Sequence, residues 1–329
     1  MNRLSRLVLS LLLVIANPCF ADQPLPEKVE INGVEFILIP AGDFWYSIEN
    51  GLRFNYHPVG TPAYRQVNVW LPAYYLATYE ASADDLVRFM NSADTPTPLR
   101  EAYLNEWQQG GGGEQQSGSG CTVHLSKQGE FVVDQTAQQL PATYLSWNHA
   151  QAFAAWMGFR LPSEAEWQKA ARGSDRKIWP WGDEYPDDTL ALYGASKGCT
   201  PDAANALPEG RSPYGHYHMA GNVSEYVQDW FNEHRDAEMK DGMRNPPLAT
   251  QGSDIPHQKK QHQRISKGGR WSQNATAITI GYRQLVRPAR ATNRDGARFA
   301  IDAQEVENLL KQQRAKVLTS SVPKVSPRQ

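Results

Sequence analysis

The chain has 329 residues, 40% hydrophobic and 21% charged, with 33 Lys and Arg against 35 Asp and Glu and a formal net charge of −2. Ten tryptophans in such a background make a globular composition with enough apolar material for a sizeable core, which excludes an intrinsically disordered chain. The balanced charge leaves no footprint for nucleic acid or for an anionic membrane surface.

The first 21 residues read as a secretory signal peptide: Arg3 and Arg6 form a basic start, Leu7 to Ala16 is apolar, and Ala21 gives a small residue before the cut. The apolar stretch is too short to span a membrane, so no transmembrane segment is expected after cleavage. A lipoprotein acylated at Cys19 is the alternative, with Asn17-Pro18 a poor match to the small residues that processing requires. The expectation is export, to the periplasm or outside the cell. Cleavage would take Arg3 and Arg6 from the 33 basic residues, leaving 31 against 35 acidic and a formal charge of −4. Cys121 and Cys199 would remain, a candidate disulfide in an oxidising compartment. Closing a loop of roughly 80 residues would stabilise by about 4 kcal/mol on the chain-entropy model.

Val29 to Ile39 predicts two short strands around Asn32-Gly33. Ala81 to Met90 predicts a helix capped by Ser82, with Leu86, Phe89 and Met90 on one face. Residues 108–120, mostly Gly, Gln and Ser, read as a flexible loop, because ordering them would bury almost nothing apolar. Trp147 to Met157 predicts a second helix. A third opens at Ser163, where Glu166 completes a capping box, buries Trp167, Ala170 and Ala171, and stops at Gly173. Residues 232–263 are polar and read as a surface insertion. His216 and His218 would share a face on a strand, a weak metal signal and more simply a surface pair. Residues 303–329 read as a short amphipathic helix, Val306 to Val317, followed by a disordered tail. Residues 22–302 form one domain, since no stretch resembles a linker.

Four blocks carry a family resemblance: Arg160 to Gly173, Trp179-Pro-Trp-Gly182, His218 to Glu225, and Lys267-Gly-Gly-Arg-Trp271. In this order they resemble the formylglycine-generating enzyme family, also called the sulfatase-modifying-factor domain. Tyr75 to Glu80, Leu140 to Trp147 and Gly296-Ala-Arg298 extend the match to most of the chain. The resemblance implies an α+β, C-type-lectin-like fold with little regular secondary structure and long ordered loops.

Three departures bear on function. The family's two copper-binding cysteines follow the second Gly of the Gly-Gly pair by four and nine residues, and those positions here are Gln273 and Ile278. An amide and an aliphatic side chain cannot hold Cu(I), which needs soft sulfur ligands, so copper is not expected. A family calcium site maps onto His218, Gly221, Val223 and Glu225; Glu225 and the carbonyls suit Ca2+, and an imidazole does not. In the third departure, Gly42-Asp-Phe-Trp-Tyr-Ser47, the aromatic residues Trp45 and Tyr46, together with Trp70, read as core or as groove lining.

Family members without the cysteines include a non-catalytic paralogue of the sulfatase activator and a periplasmic factor that matures the pyoverdine chromophore. The resemblance therefore implies an exported maturation or binding factor for a peptide, protein or metabolite. Its pocket would be floored by Trp271, Gln273, Ile278 and Arg298, with Arg298 an anion anchor or a structural ion pair. The alternatives are an oxidase generating formylglycine from a sulfatase cysteine, and a lectin-like interaction module.

Overall fold

The computed structural model describes residues 24–49, 64–109, 123–194, 201–252 and 262–318. The leader, Cys121, Cys199, most of the Gly-rich run and residues 319–329 lie outside them, and with them the disulfide expectation. β1 (Lys28–Ile31) and β2 (Val34–Ile39) form the expected hairpin. Asn32 and Gly33 both have positive φ, +50° and +83°, as a two-residue type I′ turn demands. β3 (Gly42–Glu49) pairs antiparallel with β4 (Tyr64–Leu71), and β5 (Tyr74–Ala77) returns to β2.

Strand alternation decides the fate of the early aromatics. Phe44 and Tyr46 point inward from β3, as do Val67, Val69 and Leu71 from β4. Trp45 and Trp70 point outward and are half-buried under guanidinium groups, Arg176 at 3.6 Å and Arg244 at 3.9 Å from the ring centres. The core expectation holds for Tyr46 and fails for these two tryptophans.

α1 (Ala83–Asn91) starts at Ser82, whose side chain accepts from the Asp85 amide, and buries Ala83, Leu86, Phe89 and Met90. α2 (Thr97–Gln109), β6 (Val123–Leu125) and β7 (Phe131–Val133) follow. α3 (Trp147–Trp156) is capped by Ser146. α4 (Glu164–Arg172) has the full Ser163–Glu166 capping box and ends at Gly173, φ +73°. Then come β8 (Ser224–Trp230), α5 (Glu233–Glu238), β9 (Met243–Arg244), β10 (Arg264–Lys267), β11 (Gln284–Val286), β12 (Asp295–Gly296), β13 (Ala300–Asp302), α6 (Ala303–Lys311) and β14 (Lys316–Val317).

The strands make a five-stranded sheet, β13-β5-β2-β1-β14, a four-stranded sheet, β11-β10-β8-β12, and two smaller ones, β3-β4-β9 and β6-β7. Two apolar cores result. One joins the five-stranded sheet to α1 and α3 through Phe36, Tyr75, Phe89, Phe153, Phe159 and Phe299. The other packs α4 between β3 and β8 through Phe44, Tyr46, Trp167, Ala170 and Ile265.

Two expectations are corrected here. Within 232–263, the described residues are docked rather than draped. β9 adds in parallel to β4, Met239 is buried, and Arg65 donates to the carbonyls of Asp236 and Met239. At the C-terminus the helix stops at Lys311, and the chain turns through Gln313 (φ +57°) to lay β14 against β1. In both places an edge strand with unpaired amides and carbonyls has recruited a polar segment.

Candidate functional site

The segment following β10 is set by two glycines. Gly268 and Gly269 have φ of +83° and +67°, and a Cβ on Gly269 would stand 2.3 Å from the Ala277 carbonyl oxygen. This tight reversal lays Arg270 to Gln273 over one face of the four-stranded sheet. The register places Gln284, Ser266 and Tyr226 side by side, and Ser224 beside Asp295, all on that face.

Trp271 is 4% exposed; its amide donates to the Asn222 carbonyl at 2.8 Å, and its indole Nε1 has no hydrogen-bond partner. Gln273 is half-buried. Its Nε2 donates to Gln284 Oε1 at 2.8 Å and its carbonyl accepts from Gly194 at 2.7 Å, whereas its Oε1 is unpartnered. The fully buried hydroxyls of Ser224 and Ser266 on the sheet below are unpartnered too. Buried polar atoms of a folded protein are normally paired, so these unsatisfied donors and acceptors single out the region as a candidate site. Ile278 takes a different path. It closes a short turn capped by Asn274, has no exposed surface, and packs with Trp179, Ala191, Ala220 and Ala275. The two positions matched to cysteines are therefore one half-buried amide and one core aliphatic, and neither suits copper.

The opposite face of the sheet carries Glu225 and Lys267. Arg298 is fully buried and uses all five of its N–H donors. Two reach Glu225 at 2.6 and 2.9 Å, and the others reach the carbonyls of Ala77, Thr78 and Tyr217. It has nothing left for a ligand, so the structural ion pair holds and the anion-anchor role does not. Trp167 Nε1 also donates to Glu225, at 2.6 Å. With both oxygens engaged by Arg298 and Trp167, Glu225 offers calcium no free carboxylate. His218 adds only a neutral ring, with Nε2 3.0 Å from the Ala203 carbonyl oxygen and its pKa pushed down by burial to about 4. The set His218, Gly221, Val223 and Glu225 as folded does not fit Ca2+. His216 is not a surface residue either; it has no exposed surface, and burial lowers it to about 3. Among the described residues no cluster of three or more His, Cys, Asp or Glu is arranged to hold a metal.

Glu80 ends the Tyr75 to Glu80 block of the family resemblance, and sequence reasoning gave it no role. It is 4% exposed, accepts from Asn222 Nδ2 at 2.6 Å and from the Val223 amide at 3.3 Å, and lines a cleft of about 300 Å³ with Glu35, Tyr79 and Gln139. Burial, and then the charge of Glu225, hold its carboxyl well above the usual range, with Arg298 opposing. Its signal in the sequence was a lone acid three residues beyond the apolar strand β5.

Comparison with known proteins fits this geometry. A Chlamydia caviae protein named serine/threonine-protein kinase pkn1 is 25% identical over 300 residues, covering 88% of this chain and 42% of that one. A formylglycine-generating enzyme of Thermomonospora curvata is 39% identical over 103 residues, 28% of this chain and 34% of the relative. This chain thus spans well under half the length of these relatives. The solved structure of PvdO from Pseudomonas aeruginosa superposes with a TM-score of 0.53 at 20% identity, over 85% of this chain and all of that one, and it shares the α+β, C-type-lectin-like fold. Residues 22–303 match the sulfatase-modifying factor enzyme 1-like domain, and the chain belongs to that family.

Proposed function

We propose that this protein is an exported member of the family that binds a peptide or metabolite for maturation, without copper–thiolate oxidation. The observation that carries the reading is the pair of positions after the Gly-Gly turn. Ile278 is sealed in an apolar cluster, whereas Gln273 keeps a buried, unpartnered amide oxygen and Trp271 a buried, unpartnered indole N–H. Hydrogen-bonding groups of both senses are thereby offered where the family's resemblance placed soft metal ligands. Such a site holds and orients a polar group; it supplies no redox centre. Export is supported by the basic-then-apolar first 21 residues, and a role like that of pyoverdine maturation by the family's members without the cysteines.

The test is a binding titration of the purified mature chain against acidic, neutral and basic octapeptides, with parallel oxygen uptake on a cysteine-containing peptide. Saturable binding of at least one octapeptide, weakened in Trp271→Phe, with no oxygen uptake, is the expected result. Oxygen consumption dependent on the thiol peptide, or no binding by any octapeptide, would overturn it.

A further inference from the structure

From His262 to Arg294 the chain carries seven Lys and Arg and not one Asp or Glu, within a sequence whose net charge is −2. Four of the seven are accounted for inside the fold. Lys267 and Arg283 share Glu164, and Arg283 also pairs with Asp236. Arg264 is clamped between the rings of Trp147 and Trp230 at 3.5 and 3.7 Å, and it donates to the Gln228 carbonyl. Arg270 lies 3.6 Å from Asp295.

Arg287, Arg290 and Arg294 remain. All three are exposed and have no ion pair among the described residues. Asp295, next to Arg294 in the chain, is buried, lies 3.6 Å from Arg270 and accepts from the Thr292 hydroxyl at 2.6 Å. Arg290 and Arg294 act on it only through space. The Ser224 amide of β8 donates to the Arg294 carbonyl, and the other segment packed here brings no carboxylate. The amides of Tyr144 and Asn148 donate to the carbonyls of Thr292 and Pro288, and residues 135–163 contain no Asp or Glu. Among the described residues, one surface therefore carries a positive field with no carboxylate paired to it. It adjoins the candidate site directly, since the Arg294 guanidinium sits 5.6 Å from the centre of the Trp271 ring.

We propose that Arg287, Arg290 and Arg294 form the rim of the Trp271–Gln273 site and receive the carboxylates of an acidic peptide. The inference rests on the binding function proposed above and specifies its ligand. A guanidinium grips a carboxylate through two parallel N–H···O bonds, and this rim is solvated enough to exchange partners. Three guanidinia spread over the eight residues from 287 to 294 match successive carboxylates along an extended chain better than a single phosphate.

The experiment is fluorescence anisotropy of the mature chain with labelled octaglutamate, octaglutamine and octalysine, at low and at physiological salt. Octaglutamate is expected to bind at least about tenfold tighter than octaglutamine, with an affinity that falls as salt rises. The double variant Arg290→Gln, Arg294→Gln is expected to lose about tenfold in octaglutamate affinity and to keep its Tm, both side chains being exposed. Lys311→Gln, which removes an exposed cation on α6, is expected to change nothing. Equal binding of octaglutamate and octaglutamine, or an unaffected double variant, would overturn the inference and leave the binding function standing. Displacement of octaglutamate by equimolar inorganic phosphate would overturn it in favour of a phosphate group. Failure of all three peptides would overturn the binding function itself.

Discussion

Arg298 directs its five N–H groups at Glu225 and at three backbone carbonyls, in a place with no exposed surface. Removing it strands a buried carboxylate, so Arg298→Met is expected to cost about 3–5 kcal/mol in urea unfolding. Arg298→Lys should rescue little, because an ammonium cannot reproduce the planar fork; a loss under about 1 kcal/mol would contradict the geometry. The buried histidines carry a pH prediction of definite sign. Folded His216 and His218 titrate at about 3 and about 4, against 6.5 for the free side chain. Between those values the unfolded chain binds protons that the folded one refuses, so stability is lost as pH falls below 6.5. The slope is roughly 1.4 kcal/mol per pH unit for each histidine. His218→Asn, which tolerates the left-handed φ of +54°, should lower the slope of denaturation curves between pH 6 and 4.5 by roughly 1.4 kcal/mol per pH unit. Glu80 works in the opposite sense. Its raised pKa means that stability is lost as pH rises above the ordinary carboxyl value of 4.5, and Glu80→Gln should flatten that limb. Neither effect was legible beforehand: a histidine or glutamate letter does not say what its neighbours will be.

At the scale of elements, what could be read locally was read. α1, α3 and α4 each begin at a serine that caps a backbone amide within three residues, so the chain itself contains the start signal. Ser163→Ala removes one arm of the capping box and is expected to cost about 1 kcal/mol by thermal unfolding. The Asn32-Gly33 hairpin was legible for the same reason. β9, α5 and β14 were not, because they exist only where a distant strand edge needs covering. β4 lies roughly 175 residues before β9, and β1 nearly 290 before β14. Alternation within β3 and β4 sent Trp45 and Trp70 outward, a choice that depends on which face meets α4. The Gly-Gly reversal is the element on which the site depends. Gly269→Ala combines a strained φ with a Cβ 2.3 Å from a carbonyl oxygen, so a loss of more than about 2 kcal/mol is expected. Preserved stability in that variant would mean the turn is looser than described.

For the whole molecule, the ordered blocks of the sequence gave away the family and the α+β scaffold: one is the capped helix α4, and others are the turns that lead into β8 and out of β10. They did not show that Glu225 and Arg298 neutralise each other behind the sheet, nor that Gln273 and Trp271 each keep a buried, unpaired polar atom on its other side. Those facts come from register, which assigns Ser224 and Glu225 to opposite faces. Since Glu225 is engaged, millimolar calcium or EDTA is expected to leave Tm within about 1 °C of its starting value. A calcium-dependent rise would reinstate the ion. The most direct test of the account is a Cu(I) titration of the mature chain beside its Gln273→Cys, Ile278→Cys double variant, with oxygen uptake recorded on a cysteine peptide. The natural chain is expected to retain no copper and to consume no oxygen, whereas the double variant gains a stoichiometric Cu(I) site. Stoichiometric copper with oxygen uptake in the natural chain would contradict it.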